Sequence, residues 1–362
     1  CILKSEFFLY FDINFCYLII KEVINMKYPR LLKKGDLVGV SAFSCGITDQ
    51  PGQSNFINGQ KTLKKKYDLN PIFTEDVFSD IGGKSASGEQ RAKEFNDLVK
   101  YETPWIISAA GGDYLNEILK FIDYKQFKRK PCWVQGYSDN TSILYALTTI
   151  SDVATIYGQN FSAFGKKPYE KCQTQNIKLL MGESDTVESL TYYEEEFHES
   201  ISGLEPFYKD KKVKWINGNK ESKIEMEGRL LGGCTEVLFS LIGTPYEKTL
   251  EFCEKYKKDG IIFFFETFSS DDSNLHLHLW QLKEAGWFKY CKGIIFGRPL
   301  FYKSYLNKTY QEIVTETLSD LNIPMIFDAD IGHKGPTIPM INGAYAKITS
   351  EKGKGKVQYI FK

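Results

Sequence analysis

The chain has 362 residues, 42% of them apolar and 15% aromatic, a composition that supplies a sizeable core and excludes an intrinsically disordered chain. Its 46 basic and 46 acidic residues cancel, so no net field gathers a polyanion, and partnership with nucleic acid or an anionic membrane is disfavoured. The length predicts two domains.

The opening stretch "CILKSEFFLYFDINFCYLIIKEVIN" is apolar, but Glu6, Asp12 and Asn14 interrupt it, it is shorter than a bilayer span and no small-residue cleavage site follows. Neither a membrane anchor nor a signal peptide is expected from it. From Met26, "MKYPRLLKKGDLVGV" reads as an ordinary start, a basic turn leading into a first strand. The expectation is that residues 1–25 are a non-native or disordered extension translated from upstream sequence. Natural protein beginning near Met26 would support this, and a start at or before residue 1 would end it.

Residues 26–170 alternate apolar strands with amphipathic helices. The strands are "DLVGVSAF", "PIFTEDVF", "PWIISAAGGD" and "PCWVQGYS", and the helices "GQKTLKKKYDL", "EQRAKEFNDLVKY", "YLNEILKFI" and "SILYALTTI". This alternation predicts βα units and a mostly parallel sheet, an α/β domain. Over 171–225 the pattern dissolves into charged and aromatic pieces such as "YYEEEFHES" and "KDKKVKWINGNKES", which predict a connector with hairpin-like segments. Residues 226–362 restart as a second α/β domain. "GIIFFFET" and "KGIIFGRP" read as strands, "NLHLHLWQLKEAGWF" and "YQEIVTETLSDL" as helices, and "GAYAKITSEKGKGKVQYIF" as a closing hairpin turned at its Lys/Gly run. The eight cysteines are scattered, with no C-x-x-C pair, which fits a reducing cytoplasm rather than a disulfide framework or zinc module.

In open α/β sheets ligands collect at the carboxyl ends of strands. Four such ends carry chemistry: "WIISAA" runs into Gly111 and Gly112, "CWVQ" into "GYSDN", "IIFFF" into Glu266, and "MIFDADI" into Gly332 and His333. Ser138 stands two residues after a glycine, between a strand and a helix, as in a nucleophile elbow, with Asn140 replacing the usual second glycine. Asn tolerates a left-handed backbone, so that replacement is compatible with an elbow. "SDNTS" is equally a run of helix-capping residues. An elbow would also offer the Asp139 N–H as an oxyanion donor, and Gly111 and Gly112 read either as a plain βα turn or as the second donor.

Of four histidines, His198 lies in the charged connector, and His276 and His278 are offset by two residues on a helix, which points them apart. His333, in a glycine-flanked loop, is the best candidate base. Glu266 would orient that base or form a structural ion pair. The order Ser, Glu, His is the one α/β-hydrolases use. Cys234, in "RLLGGCTEVLF", is a rival nucleophile that would make the protein a cysteine amidase.

Together "SAAGGDYLNEILKFIDY", "GYSDNTSILYAL", "IYGQNFSAFG", "RLLGGCTEVL", "FFFETF" and "DADIGHKGPTIPMINGAYAKI" resemble the signature blocks of the LD-carboxypeptidase family of serine peptidases, on the branch that includes the microcin C immunity protein. The resemblance spans nearly all of the chain from Met26. It implies an N-terminal flavodoxin-like domain and a smaller C-terminal α/β domain, a homodimer, a triad of Ser138, Glu266 and His333, and an oxyanion hole from Gly111 or Gly112 with Asp139. The loop departs from the family where Leu115 and Glu117 replace polar contacts. The connector, with Trp215 and "YYEEEFHES", is where acyl-side specificity would reside.

The expectation is therefore a cytoplasmic serine hydrolase that uses neither metal nor cofactor and cleaves an amide bond through an acyl-enzyme. Its substrate would be a murein peptide or a peptidyl-nucleotide or aminoacyl-nucleotide toxin. The alternatives are the Cys234 amidase and a non-catalytic two-domain protein that binds a peptide or nucleotide.

Overall fold

The structure is a computed structural model that describes residues 26–362, so the expectation for residues 1–25 lies outside the described residues. The first sheet has six strands, in the order Asn70–Phe73, Leu37–Ser41, Trp105–Ser108, Trp133–Gly136, Thr155–Tyr157 and Met340–Asn342. The first five are mutually parallel and the last is antiparallel. In chain order the parallel strands run 2-1-3-4-5, the flavodoxin-like arrangement. The fold expectation holds, and the second half of the chain lends this sheet its final strand.

The second sheet has eight strands, in the order Thr186–Glu188, Lys354–Ile360, Tyr345–Glu351, Lys223–Cys234, Ile261–Glu266, Cys291–Gly297, Met325–Ala329 and Ile216–Asn217. The strand Lys223–Cys234 shows how neighbours dictate pattern. Residues 223–227 alternate exposed and buried beside the antiparallel strand Tyr345–Glu351, and from Gly228 every residue is buried where it runs into the parallel strand Ile261–Glu266. That next strand, "IIFFFE", is buried throughout, including its terminal carboxylate.

Between the sheets lies the helix Thr141–Ser151, apolar nearly all round and packed on strand Lys223–Cys234 as well as on its own sheet. Its Tyr145 stacks on Trp287 (centroids 5.6 Å apart) and bonds Thr249 Oγ1 at 2.6 Å. The element that follows Ser138 therefore also anchors the second half of the chain.

Three local expectations change. The segment 171–225 is not confined to a connector, because it supplies the helix Lys171–Leu180 and an edge strand at each end of the second sheet. The piece "YLNEILKFI" is a 3₁₀ helix, Leu115–Phe121. The helix expected over "NLHLHLWQLKEAGWF" runs Asp272–Glu284 and stops before Gly286, whose φ of 80° takes the chain out of it. Among the described residues no helix is long and apolar enough to cross a membrane.

Candidate active site

Strand Trp133–Gly136 is buried along its length and ends in an abrupt turn at Ser138, whose φ of 60° is left-handed for a residue with a side chain. Sequence reasoning placed that backbone on Asn140, but Asn140 has φ −62°. Asn140 instead ties loops together, its Nδ2 donating to Ala110 O at 3.0 Å and Tyr137 O at 2.9 Å. Nor does the Ser138 hydroxyl cap the following helix. It donates to His333 Nε2 at 2.8 Å, while Thr141 Oγ1 donates to the Ser138 carbonyl.

His333 reaches the serine from the loop after strand Met325–Ala329, and its Nδ1–H donates to Glu266 Oε2 at 2.8 Å. An ionised carboxylate only accepts, so this contact fixes the tautomer and leaves Nε2 free to take a proton. Gly332 makes the approach possible: its φ is 101°, and a Cβ there would stand 2.5 Å from Glu266 Oε2. Tyr137 and Phe268 flank the imidazole, with ring centroids 5.1 and 4.6 Å away.

Glu266 has no exposed surface. Burial alone would raise its pKa, but the positive charge of a protonated His333 and hydrogen bonds from His333 and Tyr157 outweigh it, and the net direction is down. For His333 burial acts to lower the pKa, and the charge and hydrogen bond of Glu266 reverse this to a net rise. The pair is thus poised to carry a proton on the imidazole with the negative charge behind it.

The glycine loop lies against the elbow. A Cβ on Gly111 would sit 3.6 Å from Ser138 Oγ. Gly112 has φ 145°, and a Cβ on it would fall 2.2 Å from Ser44 Oγ, so no other residue fits there. The N–H groups of Gly111, Gly112 and Asp139 meet no protein acceptor among the described residues. The Asp139 side chain clamps this loop: its Oδ2 accepts from Ser44 Oγ–H at 2.6 Å and from Leu115 N–H at 2.9 Å.

Burial pushes the Asp139 carboxyl from 3.8 up to about 6. The native chain thus keeps a proton that the unfolded chain has released, and stability falls as pH rises from about 4 to 6. Asp139→Asn retains an oxygen acceptor without the ionisation. Urea titrations should show the parent losing up to about 3 kcal/mol relative to this variant across that window. Parallel pH curves for the two proteins would contradict the assignment.

Other candidates are placed elsewhere. Leu115 is fully buried, and Glu117 is held by Lys84 at 2.5 Å and Arg91 at 2.7 Å. Cys234 is 2% exposed, and burial, then Glu266 and Glu236, push its thiol well above the ordinary pKa. The thiolate an amidase needs is therefore disfavoured. Trp215, expected among specificity residues, is buried and donates from Nε1 to Asp330 Oδ2 at 3.0 Å. Asp330 also pairs with Arg298 at 2.8 Å, so Trp215 braces the loop that carries His333. His276 bonds Thr317 and His278 packs on Phe239, the two facing different partners as their offset predicts. A separate cavity of about 670 Å³, lined by Gly88, Lys120, Leu241 and Tyr246 among others, shares no residue with the Ser138 cluster.

Sequence reasoning missed Tyr157 and Thr141. Tyr157 OH touches both Glu266 and the Ser138 N–H, and Thr141 Oγ1 accepts from the Cys234 N–H at 3.0 Å, joining the elbow to the second sheet. Tyr157 stood inside the block "IYGQNFSAFG" that carries the family resemblance, with no role assigned to it.

Both halves of the chain resemble known proteins. Residues 38–158 match the model of the LD-carboxypeptidase N-terminal domain, and residues 227–348 that of the LD-carboxypeptidase C-terminal domain. The chain is similar to the microcin C7 self-immunity protein MccF of Escherichia coli, 27% identical over 323 residues that cover 85% of this chain and 90% of the relative. It is also similar to a probable murein peptide carboxypeptidase of Bacillus subtilis, 23% identical over 339 residues covering 92% and 95%. The fold resembles the solved structure of MccF in complex with aspartyl sulfamoyl adenosine, with a TM-score of 0.76 at 23% identity over 92% of this chain and 98% of that one.

Proposed function

The chain belongs to the LD-carboxypeptidase family and is a serine peptidase, and from that premise we propose that Ser138, His333 and Glu266 are its catalytic triad. The observation that carries the reading is the unbroken line of contacts, hydroxyl to imidazole at 2.8 Å and imidazole to carboxylate at 2.8 Å, drawn from three distant parts of the chain. Ser138 Oγ attacks the scissile carbonyl carbon while His333 Nε2 takes its proton. The carbonyl oxygen becomes an oxyanion, received by the Asp139 N–H and that of Gly111 or Gly112, each such donor lowering the barrier by roughly 3 kcal/mol. Collapse breaks the C–N bond, and the amine leaves with the proton from His333. Water, deprotonated by the same nitrogen, then hydrolyses the acyl-enzyme ester and regenerates the serine.

Two leaving groups suit this machinery. One is a terminal D-amino acid on a murein peptide, in keeping with the murein relative. The other is the nucleotide part of an aminoacyl-nucleotide or peptidyl-nucleotide, whose acyl group stays on Ser138 until water releases it, in keeping with the MccF relative and the aspartyl sulfamoyl adenosine bound in its solved structure. Incubation with a murein tetrapeptide and an aminoacyl sulfamoyl adenylate side by side, followed by mass spectrometry, separates them. Release of D-alanine assigns the first and release of the free amino acid the second. Binding of either compound without turnover would replace the proposal with a binding protein.

A further inference from the structure

Tyr157 ends strand Thr155–Tyr157, beside the strand that delivers Ser138. Its ring packs on Phe264, in the strand that delivers Glu266, with centroids 5.7 Å apart. Its hydroxyl thus bridges the two sheets at the catalytic centre, donating to Glu266 Oε1 at 2.5 Å and accepting the Ser138 N–H at 3.1 Å. With the two triad contacts these bonds close a ring: Ser138 Oγ to His333, His333 to Glu266 Oε2, Glu266 Oε1 to Tyr157, and Tyr157 back to the Ser138 backbone. We infer that Tyr157 is a positioning residue of the triad, fixing with one hydroxyl both the second oxygen of the carboxylate and the strained residue that bears the nucleophile. The inference rests on the triad reading above.

Each contact answers a specific need. Glu266 is fully buried, so Oε1 without a donor would be an unpaired anionic oxygen in a dry site. Ser138 holds a left-handed backbone that its surroundings must enforce. A phenol has one proton, and Ser138 N–H already donates to its oxygen, so that proton goes to the carboxylate. Burial pushes the phenol pKa well above its ordinary value, which keeps Tyr157 a neutral donor. A neutral donor draws charge density from the carboxylate and so moderates its hold on the imidazolium.

The test follows second-order labelling of Ser138 by a fluorophosphonate against pH, a readout independent of which natural substrate is cleaved. In Tyr157→Phe the rate should fall about 10-fold or more, the loss of one hydrogen bond to a buried charge. The acid limb of the profile should move up by about half a unit as Glu266 holds the imidazolium more firmly. Glu266→Gln should label more slowly still, and the double variant should match Glu266→Gln within about 2-fold, because the two residues share one task.

A rate and limb unchanged in Tyr157→Phe, or losses that multiply in the double variant, would overturn the inference. Site-specific 3-fluorotyrosine at 157 keeps ring and hydroxyl but sharpens the donor. It should move the limb to lower pH, and an unmoved limb would overturn the inference even if Tyr157→Phe did not fold. Parent protein left unlabelled at Ser138 would overturn the triad reading itself, whereas a labelled parent with an indifferent Tyr157→Phe would remove only the role of Tyr157.

Discussion

Ser138→Ala should lower kcat/KM by about 10,000-fold or more with the fold retained, because removing a nucleophile disables a triad that acts as a unit. The substitution deletes one atom, Oγ, whose partner is His333 Nε2. The backbone of residue 138 is held by its N–H on Tyr157 and its carbonyl on Thr141, neither of which needs the hydroxyl. Circular dichroism and melting temperature should therefore match the parent while product release falls to background. Hydrolysis at the parental rate would remove Ser138 from the chemistry.

Glu266→Gln is the second large effect, with an expected loss of about 10,000-fold in kcat, as when the acid of a triad becomes its amide. Both carboxylate oxygens accept, one from His333 Nδ1–H and the other from Tyr157 O–H. An amide presents one oxygen and one NH₂, so in either orientation it sets a donor against a donor. If the NH₂ faces Nδ1, the imidazole must adopt the tautomer with its proton on Nε2 and can no longer accept from Ser138. If it faces the phenol, Tyr157 turns away and the ring of contacts opens. Steady-state kinetics and the imidazole proton resonance would report the two outcomes. Activity within about 10-fold of the parent would mean that Glu266 is a structural carboxylate only, since an orienting acid is worth far more.

The parts of the site that could be read from sequence sit where parallel sheets put chemistry, at the carboxyl ends of strands. Ser138, Glu266 and His333 each stand at or just beyond the end of an apolar strand, where a polar side chain needs a partner. Sequence left undecided whether Ser138 caps a helix or faces a base, because both readings use the same local residues. Only the contact with His333, 195 positions away, separates them.

Tyr157 was overlooked for the same reason in stronger form. It ends a three-residue strand, where an aromatic is unremarkable, and its role depends on Glu266, 109 positions later. The helix Lys171–Leu180 escaped notice because polar residues crowd "KCQTQNIKLL", although Glu170 and Gln173 form a capping box at its start. Trp215 belongs to the segment expected to hold acyl-side specificity, but its indole is committed to the buried Asp330.

The account depends above all on a single serine made nucleophilic by a histidine from the other half of the chain. Covalent mapping tests this most directly: react the protein with a fluorophosphonate, digest it, and locate the adduct by peptide mass spectrometry in the parent and in His333→Ala. The account predicts one adduct, on the peptide containing Ser138, that forms at least about 100-fold more slowly without His333. An adduct on another residue, Cys234 included, or equal labelling in the two proteins, would contradict it.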